Sequence, residues 1–392
     1  MNDYLLKTYN PLPIQFDYGD GVWLFDKKGR KYLDAFCGIA VTGLGHNHPV
    51  ITKVIKQQAE TLLHISNLVE IAEQQALAEQ LSKASGMHAK IFFSNSGAEA
   101  IESAIKLSRL YGYSNGIEVP KIIVMSDAFH GRTLAALSAS ASRNVQNGFD
   151  PVKGFIRATY NDMNALRSIA KYQSDIAAVL LEPIQGKGGI QVPSHDYLGN
   201  IRELCDKKNW LLILDEIQTG MARTGQLFAY QDAGIIPDAV TLAKALGNGI
   251  PIGALLVRDK YCDLFKPGLH GSTFGGNPLS CAVGLATLTE IQKYRLWDNA
   301  RHQGEKLIVG LQDKLKIHPN VKDIRGKGLM VGVELDRSCH GILQHALNHG
   351  ILFTVTRGST IRILPPLIIE DTEVAQIIDT IPVLIDEFVA DS

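Results

Sequence analysis

Apolar positions in the middle of this chain come in short unbroken runs: KIFFS (90–94), KIIVM (121–125), AAVLLEP (177–183), WLLILD (210–215), AVTLA (239–243) and GALLV (253–257). Strands buried on both faces read this way, because neither face meets water. Between many of these runs the apolar positions fall at helical spacing, as over 72–85, 97–113 and 195–209. Such alternation predicts an α/β fold whose mostly parallel sheet is covered on both faces. A further strand is expected at VWLFD (22–26). After about residue 290 the pattern changes to a helix over 297–316, LMVGVEL (329–335), a helix near 338–349, ILFTV (351–355), TIRIL (360–364) and a last helix from 371. That reads as a smaller α/β domain.

Two of the buried runs end in chemistry. Leu211–Leu214 stops at two carboxylates, Asp215 and Glu216, and Ala239–Ala243 stops at a lone lysine, Lys244. In open α/β sheets ligands bind off the carboxyl ends of the strands. An amine and an acid so placed are what pyridoxal 5'-phosphate requires: a Schiff-base lysine and a carboxylate for the pyridinium nitrogen. Burial would lower the lysine pKa and keep the amine neutral enough to attack an aldehyde. A phosphate needs backbone amides at a helix start. Ser96, Gly97 and Ala98 in SNSGAEA supply them, although Ser96 and Glu99 also fit a capping box that would use the same hydroxyl.

Composition narrows the alternatives. With 392 residues, of which 45% are hydrophobic, the chain can bury a large core in two to three domains. A formal charge of −1 gives no general electrostatic case for nucleic acid or an anionic membrane. No apolar run approaches a membrane span, and the N-terminus lacks the pattern of a secretory signal. Five scattered cysteines (37, 205, 262, 281 and 339) suggest a reduced, cytoplasmic protein without disulfides or a zinc site. GHNHP (45–49) holds a His-x-His, but no further ligands complete a metal site, so none is expected. Glycines in RGKGLMVG and LGNGIPIG lack dinucleotide-binding spacing, and there is no P-loop.

DEIQTGMARTG (215–225), AKALGNGIPIGA (243–254) and HGSTFGGNP (270–278) resemble the signature of the class III, ω-amino-acid aminotransferases. The resemblance extends through LDAFCGIAVTGLGHNHP (33–49), FFSNSGAEA (92–100), FHGRT (129–133), EPIQG (182–186) and IRILPPL (361–367), so it covers nearly the whole chain in order. It implies the fold type I architecture of the aspartate aminotransferase group. A large cofactor domain would span 50–290, and residues 1–49 would join 291–392 in a small domain.

The resemblance also implies residue roles. Lys244 would carry the cofactor and move the substrate proton, and Asp215 would face the pyridine nitrogen. Gln218 would reach the phenolic oxygen, Phe129 would stack on the ring, and Ile217 and Glu216 would line the site. Glu216 could equally serve a structural salt bridge. Arg132 and Arg362 would grip substrate carboxylates, as suits a 2-oxoglutarate acceptor. Thr273 would touch the cofactor phosphate, and Ser272 the substrate, from the other subunit. That makes a homodimer with shared sites and one cofactor per subunit.

The implied reaction passes the δ-amine of N2-acetyl-L-ornithine to 2-oxoglutarate, giving the semialdehyde and glutamate for arginine synthesis. Ornithine, succinylornithine, succinyl-diaminopimelate and 4-aminobutyrate remain alternative donors; an aminomutase or a non-catalytic cofactor-binding protein is further off. Ile39 stands where ornithine δ-aminotransferases look to carry a tyrosine, which weakens the ornithine reading. One departure is pronounced. The family typically shows EPIQGEGG, whose glutamate pairs with the second arginine, and here that position is Lys187. Arg362 is therefore expected to be less masked, and donor discrimination to be altered.

Overall fold

The computed structural model describes residues 4–140 and 148–391. Among the described residues, fifteen strands form three sheets. The first three strands are β1 (Phe16–Asp20), β2 (Trp23–Asp26) and β3 (Lys31–Asp34). Next come β4 (Ala89–Ser94), β5 (Lys121–Met125), β6 (Phe155–Ala158), β7 (Ile176–Leu181), β8 (Leu211–Asp215), β9 (Ala239–Leu242) and β10 (Gly253–Arg258). The last five are β11 (Val321–Lys327), β12 (Met330–Leu335), β13 (Ile351–Leu352), β14 (Thr354–Thr356) and β15 (Thr360–Ile363).

The main sheet runs β4-β10-β9-β8-β7-β5-β6. Neighbours from β9 to β6 are parallel, and β10 lies antiparallel to both β4 and β9. Every residue of β7 and β8 is buried, as the unbroken apolar runs anticipated. The helix Gly97–Ser114 packs on one face, with Ile101, Ala104, Ile105 and Leu107 in a core that includes Ile122, Leu180 and Ile213. On the other face Val179, Leu212, Leu214 and Leu256 join a larger core with Tyr197, Ile201 and Cys205 of the helix Tyr197–Lys208.

Two four-stranded sheets complete the molecule, ordered β1-β2-β3-β13 and β11-β12-β15-β14. β13 pairs in parallel with β3, joining Leu33 and Asp34 to Ile351 and Leu352. The stretch 351–355, expected as one strand, divides at Phe353 between these two sheets. Four strands were not anticipated. β1 and β11 are largely half-exposed or exposed and polar, and β3 and β6 have four residues each. The helix Pro278–Lys293 was missed because it lies sandwiched in the core, small or apolar on nearly every side, so no amphipathic period marks it. No helix among the described residues is long and apolar enough to cross a membrane.

Candidate active site

Segments leaving the carboxyl ends of β4, β5, β7, β8 and β9 meet around one cavity of about 420 Å³. Its lining includes Ser96, Gly97 and Ala98 after β4, Phe129 and Arg132 after β5, and Glu182 after β7. Asp215, Ile217 and Gln218 follow β8, and Lys244 follows β9. Parallel strands deliver all these side chains to one edge because each strand ends in the same direction.

Lys244 sits in a tight turn (244–246) with φ of +48°. That left-handed conformation costs a non-glycine residue about 1 kcal/mol, and such strain collects at functional sites. Burial lowers its pKa to about 8; Arg362 adds to the lowering, and Asp215 and Glu182 oppose it. The amine is therefore much closer to neutral than an ordinary lysine at the same pH.

Asp215 is 4% exposed. One carboxylate oxygen accepts from the backbone of Ile217 at 3.1 Å and from Thr241 Oγ1 at 3.3 Å. The other lies 2.7 Å from Nδ1 of His130. Sequence reasoning passed over His130, although it lies inside FHGRT between two assigned residues. Its partner is 85 residues away along the chain, so only the fold reveals the contact. Burial pushes the imidazole pKa down, but the hydrogen bond to Asp215 and the charges of Asp215 and Glu182 outweigh it, and the net shift is upward. The imidazole thus binds a proton more readily than a free one, and its contact braces the Asp215 carboxylate. Glu182, also unassigned from sequence, accepts from the backbone of Phe129 and of Gly186 at 3.0 Å each. Burial raises its pKa to about 7, with the His130 charge acting against the rise.

The donor set fits pyridoxal 5'-phosphate. Oε1 of Gln218 is buried without a hydrogen-bond partner among the described residues. A Cβ on residue 186 would lie 2.3 Å from that oxygen, so glycine there is what leaves the amide its room. The amides of Gly97 and Ala98 open the helix Gly97–Ser114 and have no intrahelical acceptor. Ser96 caps this helix: its hydroxyl accepts from Glu99 N at 3.3 Å and contacts the Glu99 carboxylate at 3.2 Å. The capping role is thus realised, with the next two amides left for an anion. A residue larger than glycine at 253 would strike the Ser96 carbonyl, which seals β10 against this cup.

One expectation changes, and three further residues lie outside the cavity lining. Glu216 does not line the cavity. Its buried carboxylate accepts from Thr219 Oγ1 at 2.9 Å and from the amides of Ala229 and Tyr230 at 2.9 and 3.0 Å. It is a structural cap rather than a cofactor ligand, and not the salt bridge entertained from sequence. Ser272 and Thr273 do not line the cavity of their own chain either. Ser272 Oγ accepts from Asn95 Nδ2 at 3.2 Å, and Asn95 does line the cavity. Arg362, on β15, also stands outside the lining, yet its charge reaches Lys244. It is 6% exposed, donates from Nε to Thr354 Oγ1 at 3.0 Å, and forms no ion pair among the described residues.

The aminotransferase class III family model matches residues 4–385. Curated relatives include the acetylornithine aminotransferase of Nitrosomonas europaea, 46% identical over 386 residues and covering 98% of each chain. The acetylornithine aminotransferase of Aquifex aeolicus is 42% identical over 96% of this chain and 98% of its own. Among solved structures, the ornithine aminotransferase of Toxoplasma gondii superposes with a TM-score of 0.94 at 36% identity, over 99% of this chain and 93% of its own. The N-acetylornithine aminotransferase of Stenotrophomonas maltophilia gives 0.85 at 37% identity, over 97% and 98%.

Proposed function

This chain belongs to the class III aminotransferases, and within that family we propose that it transfers the δ-amino group of N2-acetyl-L-ornithine to 2-oxoglutarate. The products are N-acetyl-L-glutamate 5-semialdehyde and L-glutamate, as arginine synthesis requires. The reading rests on one conjunction: end-to-end likeness to acetylornithine aminotransferases at 46% identity, in a chain whose Lys244 and Asp215 face one cavity. Pyridoxal 5'-phosphate is its cofactor, and when bound it supplies the electron sink that stabilises a carbanion at the amine-bearing carbon.

The chain's own groups do the rest. Lys244, about half neutral at pH 8 in these surroundings, would hold the cofactor through its amine and, once released, would serve as the base that moves the substrate proton. Asp215, held by His130 and Thr241, would face the pyridine nitrogen and keep it protonated. Gln218 would meet the ring's phenolic oxygen with its side-chain amide, Phe129 and Ile217 would bound the ring, and Ser96, Gly97 and Ala98 would hold the phosphate. Arg132 and Arg362 take substrate carboxylates as bidentate forks.

We further read the molecule as a large cofactor domain (50–290) and a small domain (1–49 with 291–392), in a cytoplasmic homodimer. Leu63, Ile65, Leu68 and Phe274 are exposed around the loop that carries Ser272 and Thr273, which suits cover by a second copy. Each copy would then complete its partner's phosphate cup. Co-expression of Lys244→Ala with Thr273→Arg tests this: recovered activity in the hybrid supports sharing, and none refutes it.

Ornithine is the second reading, favoured by the 0.94 superposition on an ornithine aminotransferase. The deciding experiment adds each amine to the holoenzyme and follows its visible absorbance band. Bleaching by N-acetylornithine, with little by ornithine or 4-aminobutyrate, is expected. Preferential bleaching by ornithine overturns the substrate, and no band at all overturns the cofactor lysine.

A further inference from the structure

Two further cations, Lys187 and Arg362, lie close enough to the lining residue Arg132 for the three charges to be felt together. The Lys187 ammonium lies 4.5 Å from the centroid of the Phe129 ring, and the Arg132 guanidinium carbon lies 5.7 Å from the same centroid. Lys187 is also tied to the strand pair that carries Arg362. Its carbonyl accepts from Thr356 Oγ1 at 2.5 Å on β14, and Thr354 of that strand accepts from Arg362. Neither Lys187 nor Arg132 nor Arg362 has an ion-pair partner among the described residues. Burial, followed by the charges of Arg132 and Arg362, holds Lys187 below the ordinary lysine range.

Like charges brought together without counterions raise the energy of the empty cavity, and an anion entering it relieves that energy. The relief grows with the ligand's negative charge. A zwitterion with one carboxylate cancels one of the three cations while presenting an ammonium to the other two. A dicarboxylate cancels two, so the third cation still attracts it.

We propose that Lys187 is a specificity-determining residue that binds a carboxylate of dicarboxylate substrates alongside Arg132 and Arg362. It strengthens binding of dianionic oxo acids and acidic amino acids while leaving binding of donors with a single carboxylate, held by the arginines, nearly as it is. The proposal rests on this cavity being the aminotransferase site.

The test uses the holoenzyme and three variants, Lys187→Gln, Lys187→Glu and Lys187→Arg. It reads inhibition by glutarate, a non-reacting dicarboxylate, and half-saturation by N-acetylornithine. In Lys187→Gln the glutarate inhibition constant should rise about tenfold, the scale of one half-exposed charge-assisted contact. Lys187→Glu should raise it further, and Lys187→Arg should largely preserve it. Half-saturation by N-acetylornithine should change less than about threefold, with the visible band intact. Unchanged glutarate inhibition in Lys187→Gln and Lys187→Glu overturns the proposal, as does an equal loss for both ligands. Failure of the underlying reading looks different: the wild-type protein itself would show no visible band, or none that any amine bleaches.

Discussion

The carboxylates of the cavity and the cations beside it are arranged on opposite plans. Asp215 and Glu182 are each held by two or three donors, from His130, Thr241 and the backbone of Ile217, Phe129 and Gly186. Arg132, Lys187 and Arg362 carry charges with no carboxylate bound to them among the described residues. A group that is always present is best met by donors fixed in advance, since nothing then reorganises during reaction. A ligand that comes and goes is best met by charges left free to receive it. The partnered acids suit a resident cofactor, and the unpaired cations suit a travelling anion.

Four experiments press on that contrast. The largest effect belongs to the fixed side: Lys244→Ala should lower turnover by at least about 10⁴-fold, the scale on which removal of a covalent catalytic group is felt. A loss below tenfold in a steady-state transamination assay would remove Lys244 from its role.

The second follows from the lysine's environment. Protonated amine does not react with an aldehyde, and the Lys244 pKa is lowered from 10.5 to about 8. About half the amine is neutral at that pH and about 1% two units lower, so loading of cofactor-free protein should slow about fiftyfold from pH 8 to pH 6. Between pH 9 and 10 the rate should level off, whereas a free lysine model compound keeps accelerating. Continued acceleration of the protein, followed by stopped-flow absorbance, would mean that burial does not depress this amine.

On the cationic side, Arg362→Met should reduce kcat/KM for 2-oxoglutarate about 10- to 100-fold, the value of a charge-assisted hydrogen-bonded contact. The visible band should persist, because Arg362 lies outside the cavity lining. Loss of the band would place Arg362 with the fixed groups and erase the contrast.

The smallest effect on activity comes from Glu216, next to Asp215 but facing the other way. Glu216→Gln should cost about 1–3 kcal/mol of stability, by disturbing acceptors for Thr219, Ala229 and Tyr230. Turnover should stay within about threefold. Thermal denaturation and kinetics read the two separately, and a large loss of turnover without destabilisation would restore Glu216 to the site.

Asp215 and Glu216 also show how far a sequence can be read. Both end the same buried run, and motif reading gave both to the cofactor. A one-residue step at a strand end turns the second carboxylate toward the 229–231 turn, a direction set by backbone that arrives thirteen residues later. His130 shows the reverse. Its neighbours Phe129 and Arg132 were singled out, while the imidazole that braces Asp215 had no local signal, because strand order alone brings β5 and β8 to the same edge.

What the sequence determined by itself is the set of features encoded locally or by motif. These are the buried strands of the main sheet, the helix from Gly97, the lysine and aspartate at strand ends, the family, and the departure at Lys187. Apolar runs, caps and charge need no knowledge of distant partners to be read. The tertiary structure decided which acid faces the cavity, that His130 and Glu182 join it, and that Ser272 and Thr273 lie outside the lining of their own chain's cavity. It also decided that Lys187 shares an aromatic ring with Arg132 and a strand pair with Arg362. Those outcomes depend on contacts between residues tens to hundreds of positions apart, and only the packed sheet fixes the distances over which charges and hydrogen bonds act.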